Sequence, residues 1–280
     1  MTDRSRPRAR TPRARTPRAR TLFDVAGRAF AVTGGGSGIG LAIAEILLDE
    51  DATVTVLDHS AERVEHETAR LGADGRSVRG RVVDVTDPGA VDAALRAAFD
   101  EDGRLDGVFV NAGISIGSSY TDPAWRIEEF PMDSWERVAA VNLDGVLATL
   151  RSAAGLMRPQ GRGKIVLTAS TAGLRTDPMV AYSYVATKAA VVSLARQAAL
   201  DLAGSGVTVN TIAPGPFRTN IGSGFDPGEE VWKQAVPLGR IGHTDEFKGL
   251  ALLLASDASS YMTGGIYPID GGALALSHVL

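Results

Sequence analysis

The chain has 280 residues, 44% hydrophobic and 22% charged, a globular composition long enough to bury a large core. It contains no cysteine, which excludes disulfides, thiolate metal sites, iron–sulfur clusters and a cysteine nucleophile, and suits a reducing, cytoplasmic setting. The net charge of −4 is a cancellation: residues 1–20 hold eight Arg and one Asp, summing to +7, and the remaining 260 residues sum to −11.

Residues 1–21 repeat the unit Pro-Arg-Ala-Arg three times. Proline at every fifth position blocks a helix. Without apolar periodicity the segment has no core to join, so 1–21 is expected to be a disordered tail. Binding to an anionic polymer or membrane surface, targeting, and an extension without function all stay open for it. The acidic body argues against nucleic acid as the main partner, because it would repel phosphate. No apolar run approaches the roughly 20 residues of a membrane span, and no signal-peptide core is visible.

The body, 22–280, alternates strands and helices. Apolar strand-like runs are expected at 30–33, 53–57, 78–83, 107–110, 164–168, 207–212 and 266–269. Helical patterns fall at 39–48, 88–99, 134–157, 182–203 and 245–255. Alternation of this kind predicts βαβ units, a parallel sheet and helices on both faces. It runs unbroken from about 28 to 272, so one Rossmann-type doubly wound α/β domain is expected, not two.

The first strand runs into Thr33-Gly34-Gly35-Gly36-Ser37-Gly38-Ile39-Gly40 and then into an apolar helix. Glycines in such a loop serve a tight turn, close approach to phosphate and close helix–strand packing. The helix N-terminus adds free N–H groups. Asp58 follows at the end of the second strand, 18 residues past Gly40, a spacing that suits a ribose-binding carboxylate. A carboxylate accepts from a free 2′-hydroxyl and repels a 2′-phosphate, which favours NAD over NADP. Arg63, one turn on, is the residue that speaks for NADP.

Tyr184 and Lys188 stand four apart at the start of a long helical pattern, on one helix face. A nearby cation favours a phenolate, so this pair predicts a proton-transfer site. Tyr182 is the rival phenol but lies on another face. The four histidines, His59, His66, His243 and His278, form no strong metal set; His59 and His66 read as a solvated helix face, and no metal is expected. Trp125 and Trp232 fall in loops that could line a pocket.

Together these residues resemble the short-chain dehydrogenase/reductase family over about 22–272. The resemblance implies that Gly34, Ser37, Gly38, Ile39 and Gly40 hold a dinucleotide and that Asp58 holds its adenosine ribose. Asp84 and Val85 would meet the adenine, Asn111-Ala112-Gly113 would follow the fourth strand, and Pro214, Gly215 and Thr219 would meet the nicotinamide. The implied catalytic set is Asn142, Ser170, Tyr184 and Lys188, with Tyr184 and Lys188 also touching the cofactor. Thr171 is an alternative hydroxyl to Ser170. Asp270-Gly271-Gly272 resembles the family's usual ending. Val110, in place of a common asparagine, and the stretch Leu167–Ser170 depart from the usual pattern without removing a catalytic group.

The implied activity is hydride transfer between NAD(H) and a secondary alcohol or ketone. An NADP-dependent ketoacyl-thioester reductase is the alternative within the class. A non-catalytic NAD-sensing scaffold is the alternative outside it. Substrate shape is expected to come from 114–131, from 174–181, and from 217–236, whose Gly222, Gly224, Gly228 and Phe225 suggest a mobile lid. The aromatics and charges of 114–131 suggest a medium-sized, partly polar substrate. A homodimer or homotetramer built through the two long helices is implied by the resemblance.

Overall fold

The computed structural model describes residues 19–219, 221 and 228–276. Seven parallel strands form one sheet in the order β3-β2-β1-β4-β5-β6-β7. They are β1 Ala29–Thr33, β2 Thr53–Asp58, β3 Val78–Val82, β4 Gly107–Val110, β5 Gly163–Thr168, β6 Val207–Pro214 and β7 Ile266–Ile269. All seven expected strands are present within a residue or two. The order reverses between β1 and β4, and ligands of open α/β sheets bind beyond the strand C-termini at such a switch point.

The helices are α1 Ala19–Leu22, α2 Gly38–Asp49, α3 Ala61–Gly72, α4 Pro88–Asp102, α5 Met132–Ala139, α6 Gly145–Gln160, α7 Tyr182–Leu202, α8 Glu229–Gln234 and α9 Lys248–Ala255. Val91, Leu95, Val146, Met157, Val191 and Leu202 from α4, α6 and α7 bury one face of the sheet. Ile43, Leu47, Leu71, Ala251 and Leu254 from α2, α3 and α9 bury the other. Both faces being covered explains why β1, Ala-Phe-Ala-Val-Thr, is buried at every position.

The two edge strands depart from that apolar pattern for a physical reason. In β3, Arg79 pairs with Asp102 and Arg81 with Glu101 at the end of α4, charges that guard an open edge. In β7, Pro268 sits opposite Ala213 on the outermost strand, where a missing N–H is tolerated. Helix α4 starts where Asp87 accepts from the amides of Gly89 and Ala90, with Pro88 in the first turn. It stops at Gly103, whose φ of 65° is left-handed.

Two expectations about helices are corrected. The helix expected over 134–157 is interrupted by a π turn, Ala140–Asp144, whose extra residue turns Asn142 inward. The pattern at 245–255 opens as a 3₁₀ turn, Thr244–Phe247, capped by His243 and Glu246, before α9. The expected tail of 1–21 ends in the short helix α1; residues 1–18 lie outside the described residues. No described helix is long and apolar enough to cross a membrane.

Candidate active site

A cleft of about 770 Å³ opens beyond the C-termini of β1, β4, β5 and β6. At its base the loop after β1 makes two left-handed turns, Gly34 at φ 65° and Gly38 at φ 55°, which a side chain would strain. Gly40 faces inward: a Cβ there would lie 2.1 Å from the Gly34 carbonyl and 2.6 Å from Asn111 Nδ2. Gly40 therefore shapes the loop by packing, whereas Gly34, Ser37, Gly38 and Ile39 line the cleft. Gly38 and Ile39, the first residues of α2, bring the helix N-terminus to the cleft.

Thr33 holds this base together. Its hydroxyl accepts from the Asn111 amide at 3.0 Å and the Ala112 amide at 3.2 Å. Sequence reasoning assigned Thr33 only to the motif; a hydroxyl ending a wholly buried strand was the available signal. Thr33→Val leaves both amides without their partner and is expected to destabilise the fold by about 1–3 kcal/mol. Chemical denaturation checks this, and unchanged stability would contradict it.

At one end of the cleft, Asp58 is 4% exposed. It accepts from the Gly36 amide at 3.2 Å, the Ser60 amide at 3.1 Å and the Arg63 guanidinium at 2.8 Å. His59 Nδ1 lies 3.4 Å from the same carboxylate. Asp84 and Val85 line the cleft beside them. Thr86 donates to Asp84 from its amide and its hydroxyl, and holds that carboxylate below its ordinary range.

At the other end, Lys188, 1% exposed, donates from Nζ to the Thr168 carbonyl at 3.0 Å. The Thr168 hydroxyl in turn donates to Asn111 Oδ1 at 3.1 Å, so one chain of bonds joins the ammonium to the base of the glycine loop. A Cβ on Gly113 would stand 3.1 Å from Lys188 Nζ and 3.4 Å from Asn142 Oδ1. The bare backbone of Gly113 is what leaves the ammonium room. Asn142 is fully buried. Its amide accepts from Ile114 N and donates to Ile114 O, both at 2.8 Å. It pins the segment after β4 and does not itself line the cleft.

Tyr184 and Ser170 line the cleft together. Ser170 Oγ accepts from the Ala172 amide at 3.1 Å and sits 3.5 Å from the Pro214 carbonyl. Thr171 is buried and is not part of the cleft wall, which favours Ser170 as the hydroxyl. Tyr182 turns away into a ring cluster with Tyr120 and Phe130, as its different helix face predicts.

The Lys188 ammonium lies 5.6 Å from the Tyr184 ring centroid. The net shift of the phenol runs upward, against the lowering that the cation alone would give. Burial pushes the phenol above its ordinary value, and a hydrogen bond with Ser170 opposes the rise. Burial also pulls Lys188 down to about 8. Both groups are driven toward their neutral forms.

The remaining expected residues, Asn111, Ala112, Gly113, Pro214, Gly215 and Thr219, all line the cleft. The expected substrate segments contribute less than their sequences suggest. From 114–131 only Ile114, Ser115 and Ile116 reach the wall, and from 174–181 no residue does. Trp125 packs on Phe130, with ring centroids 5.6 Å apart, away from the cleft. Arg175 is held by the Ala273 carbonyl at 2.6 Å. From 217–236, Phe217, Thr219 and Ile221 line it. Residues 222–227, with Phe225, and His278 lie outside the described residues, so the lid reading lies largely there too. Among the described residues no three His, Asp or Glu side chains stand together as metal ligands.

The glycine loop with its paired acid, together with the Ser170, Tyr184 and Lys188 cluster, defines a dinucleotide-dependent oxidoreductase. Residues 34–273 match a family model described as enoyl-(acyl carrier protein) reductase. The chain is 35% identical over 253 residues to 2-(S)-hydroxypropyl-CoM dehydrogenase 3 of Xanthobacter autotrophicus, covering 88% of this chain and 96% of that protein. Its fold is similar to a short-chain type dehydrogenase/reductase from Mycobacterium marinum, with a TM-score of 0.84, 33% identity, and 91% and 98% of the two chains covered. It is similar also to an NADPH-dependent 3-quinuclidinone reductase from Rhodotorula rubra, with a TM-score of 0.84, 34% identity, and 95% and 99% covered. The chain belongs to the short-chain dehydrogenase/reductase family, and its class of chemistry is the interconversion of secondary alcohols and ketones.

Proposed function

We propose that this protein transfers a hydride between NAD(H) and a secondary alcohol or ketone, with Tyr184 as proton carrier. The observation that carries the reading is the convergence of Tyr184, Ser170 and Lys188 at one end of a cleft whose other end is Asp58. The cleft fits a dinucleotide: left-handed glycines open its base, and the bare Gly113 backbone leaves a cradle beside Lys188. A bound nicotinamide supplies the hydride acceptor or donor. Tyr184 exchanges the proton with the substrate oxygen. Ser170 Oγ accepts from the Ala172 amide, and its own proton reaches the Pro214 carbonyl only over a long 3.5 Å bond, so it can turn to the substrate oxygen and to the charge that develops there. Lys188 is assigned to the nicotinamide ribose. Asn142 has both ends of its amide committed to Ile114, so a water relay through this residue would use its main-chain carbonyl.

NAD is proposed over NADP because Asp58 keeps its carboxylate in the cleft wall, where it repels a 2′-phosphate. Arg63 supports the NADP alternative, but its charge is matched by Asp58 at 2.8 Å. NADH is expected to bind more tightly than NADPH, and Asp58→Asn should narrow the gap. Fluorescence titration of both cofactors checks this; a clear preference of the natural sequence for NADPH would overturn it. A homo-oligomer through α6 and α7 is proposed from the exposed Leu147 and Leu200 on those helices. A cytoplasmic setting is in keeping with a cysteine-free chain. Turnover of a panel of secondary alcohols and ketones with each cofactor tests the whole reading. Bound NADH without turnover across the panel would favour the sensing scaffold.

A further inference from the structure

The link between β4 and α5 carries an aromatic cluster that the proposed chemistry does not use. Its first part is pinned by Asn142 at Ile114 and then supplies Ser115 and Ile116 to the cleft wall. Gly117 follows at φ 90°. A Cβ on it would stand 1.9 Å from the Trp125 ring, so the ring lies directly against this glycine backbone. Trp125 itself is set in a short 3₁₀ turn, Pro123–Trp125, capped by Asp122.

From Trp125 the contacts continue in one direction. Its ring meets Phe130 nearly edge-on, at 5.6 Å and 78°. Phe130 meets Tyr182 at 5.7 Å and 83°. Tyr120 closes the cluster on Tyr182 at 6.4 Å. Tyr182 is the first residue of α7, two before Tyr184. Edge-to-face pairs of this kind are directional and resist sliding. The wall that faces the substrate and the helix that carries the proton donor are thus tied together outside the cleft.

We propose that Trp125 is a positioning residue for the reaction: seated on Gly117 and joined through Phe130 to Tyr182, it holds Ser115 and Ile116 at a set distance from Tyr184, and so fixes how large a group the substrate end admits. This rests on the reading of the cleft as an alcohol–ketone site. Trp125 touches neither the cleft nor the dinucleotide end, so its effect falls on substrate and not on cofactor.

The test compares the natural sequence with Trp125→Ala and Trp125→Phe across ketones of increasing bulk beside the carbonyl. Trp125→Ala should raise KM for small ketones by about tenfold, a loss on the scale of misplaced substrate groups, and flatten the discrimination by size. NADH affinity should not change. Trp125→Phe should restore most of both, since a ring on Gly117 is what the proposal requires. Unchanged KM and size discrimination in Trp125→Ala would overturn it, as would a parallel loss of NADH binding that marks general unfolding. Hydrogen exchange keeps this separate from the activity reading. Even if no ketone is turned over, the hydrogen-bonded amides of this link, Ile114, Thr121 and Asp122, should lose protection in Trp125→Ala while those of 38–48 do not, and unchanged protection there would contradict the tether.

Discussion

Tyr184→Phe is expected to bind NADH as the natural sequence does and to lose turnover by about 100- to 10 000-fold, the range of a lost general acid–base. The substitution removes one oxygen from a half-buried ring and leaves its packing in place. What disappears is the only phenol that lines the cleft among the described residues. Ser170 stays, so the developing charge keeps one donor, but the proton has no carrier matched to it. The control is Tyr182→Phe. That ring keeps its contacts with Phe130 and Tyr120 as a phenylalanine, and turnover should be retained. Steady-state kinetics of both variants beside cofactor titrations separates the roles. Full activity in Tyr184→Phe, or loss only in Tyr182→Phe, would contradict the assignment.

Lys188 carries the second large effect, and it depends on pH. Burial favours the uncharged amine and brings the group from 10.5 to about 8. The ammonium is therefore half-lost at about pH 8 and fully present only well below it. If it holds the nicotinamide ribose, NADH binding should weaken as pH rises through 8. Lys188→Met should bind more weakly at neutral pH and lose that inflection. Stability moves in a linked way. Between pH 10.5 and 8 the unfolded chain takes up a proton that the folded chain resists, so stability falls as pH falls through this window, by about 3 kcal/mol for this group. Below pH 8 both states hold the proton and the cost is constant. Lys188→Met should show a shallower fall over the same window. NADH titrations and chemical denaturation at pH 7, 8, 9 and 10 check both signs. An inflection that survives in the variant belongs to another group.

The sheet was legible because its inner strands are buried on both faces. Short runs of apolar and β-branched residues, Ala29–Val32 before Thr33 and Thr53–Leu57 before Asp58, leave little room for another reading. The helix starts were legible where a cap writes itself into the sequence, as with Asp87-Pro88. The π turn at Ala140–Asp144 was not, because nothing in Val-Asn-Leu shows that Asn142 will bond the backbone of Ile114, 28 residues earlier in the chain. The residues around the cleft were legible as motifs, since glycine spacing and an i, i+4 pair survive as sequence. Their balance of charge was not. The direction of the Tyr184 pKa follows from the burial around its hydroxyl, beside the buried Lys188, which spacing alone does not carry. The substrate wall misled for a related reason. The aromatic and charged residues of 114–131 read as a lining, but Trp125, Phe130 and Tyr120 pack on Tyr182 outside the cleft. Which side of a loop faces a cavity is decided by packing among residues far apart in sequence.

The most direct test follows the hydrogen itself. A secondary alcohol deuterated at the carbinol carbon is incubated with the protein and NAD, and the reduced cofactor is examined by mass spectrometry and NMR. Deuterium on the nicotinamide ring, formed by the natural sequence and nearly absent with Tyr184→Phe, is the result predicted. Cofactor that binds in the cleft while a broad set of labelled alcohols and the corresponding ketones exchange no hydride with it would contradict the account.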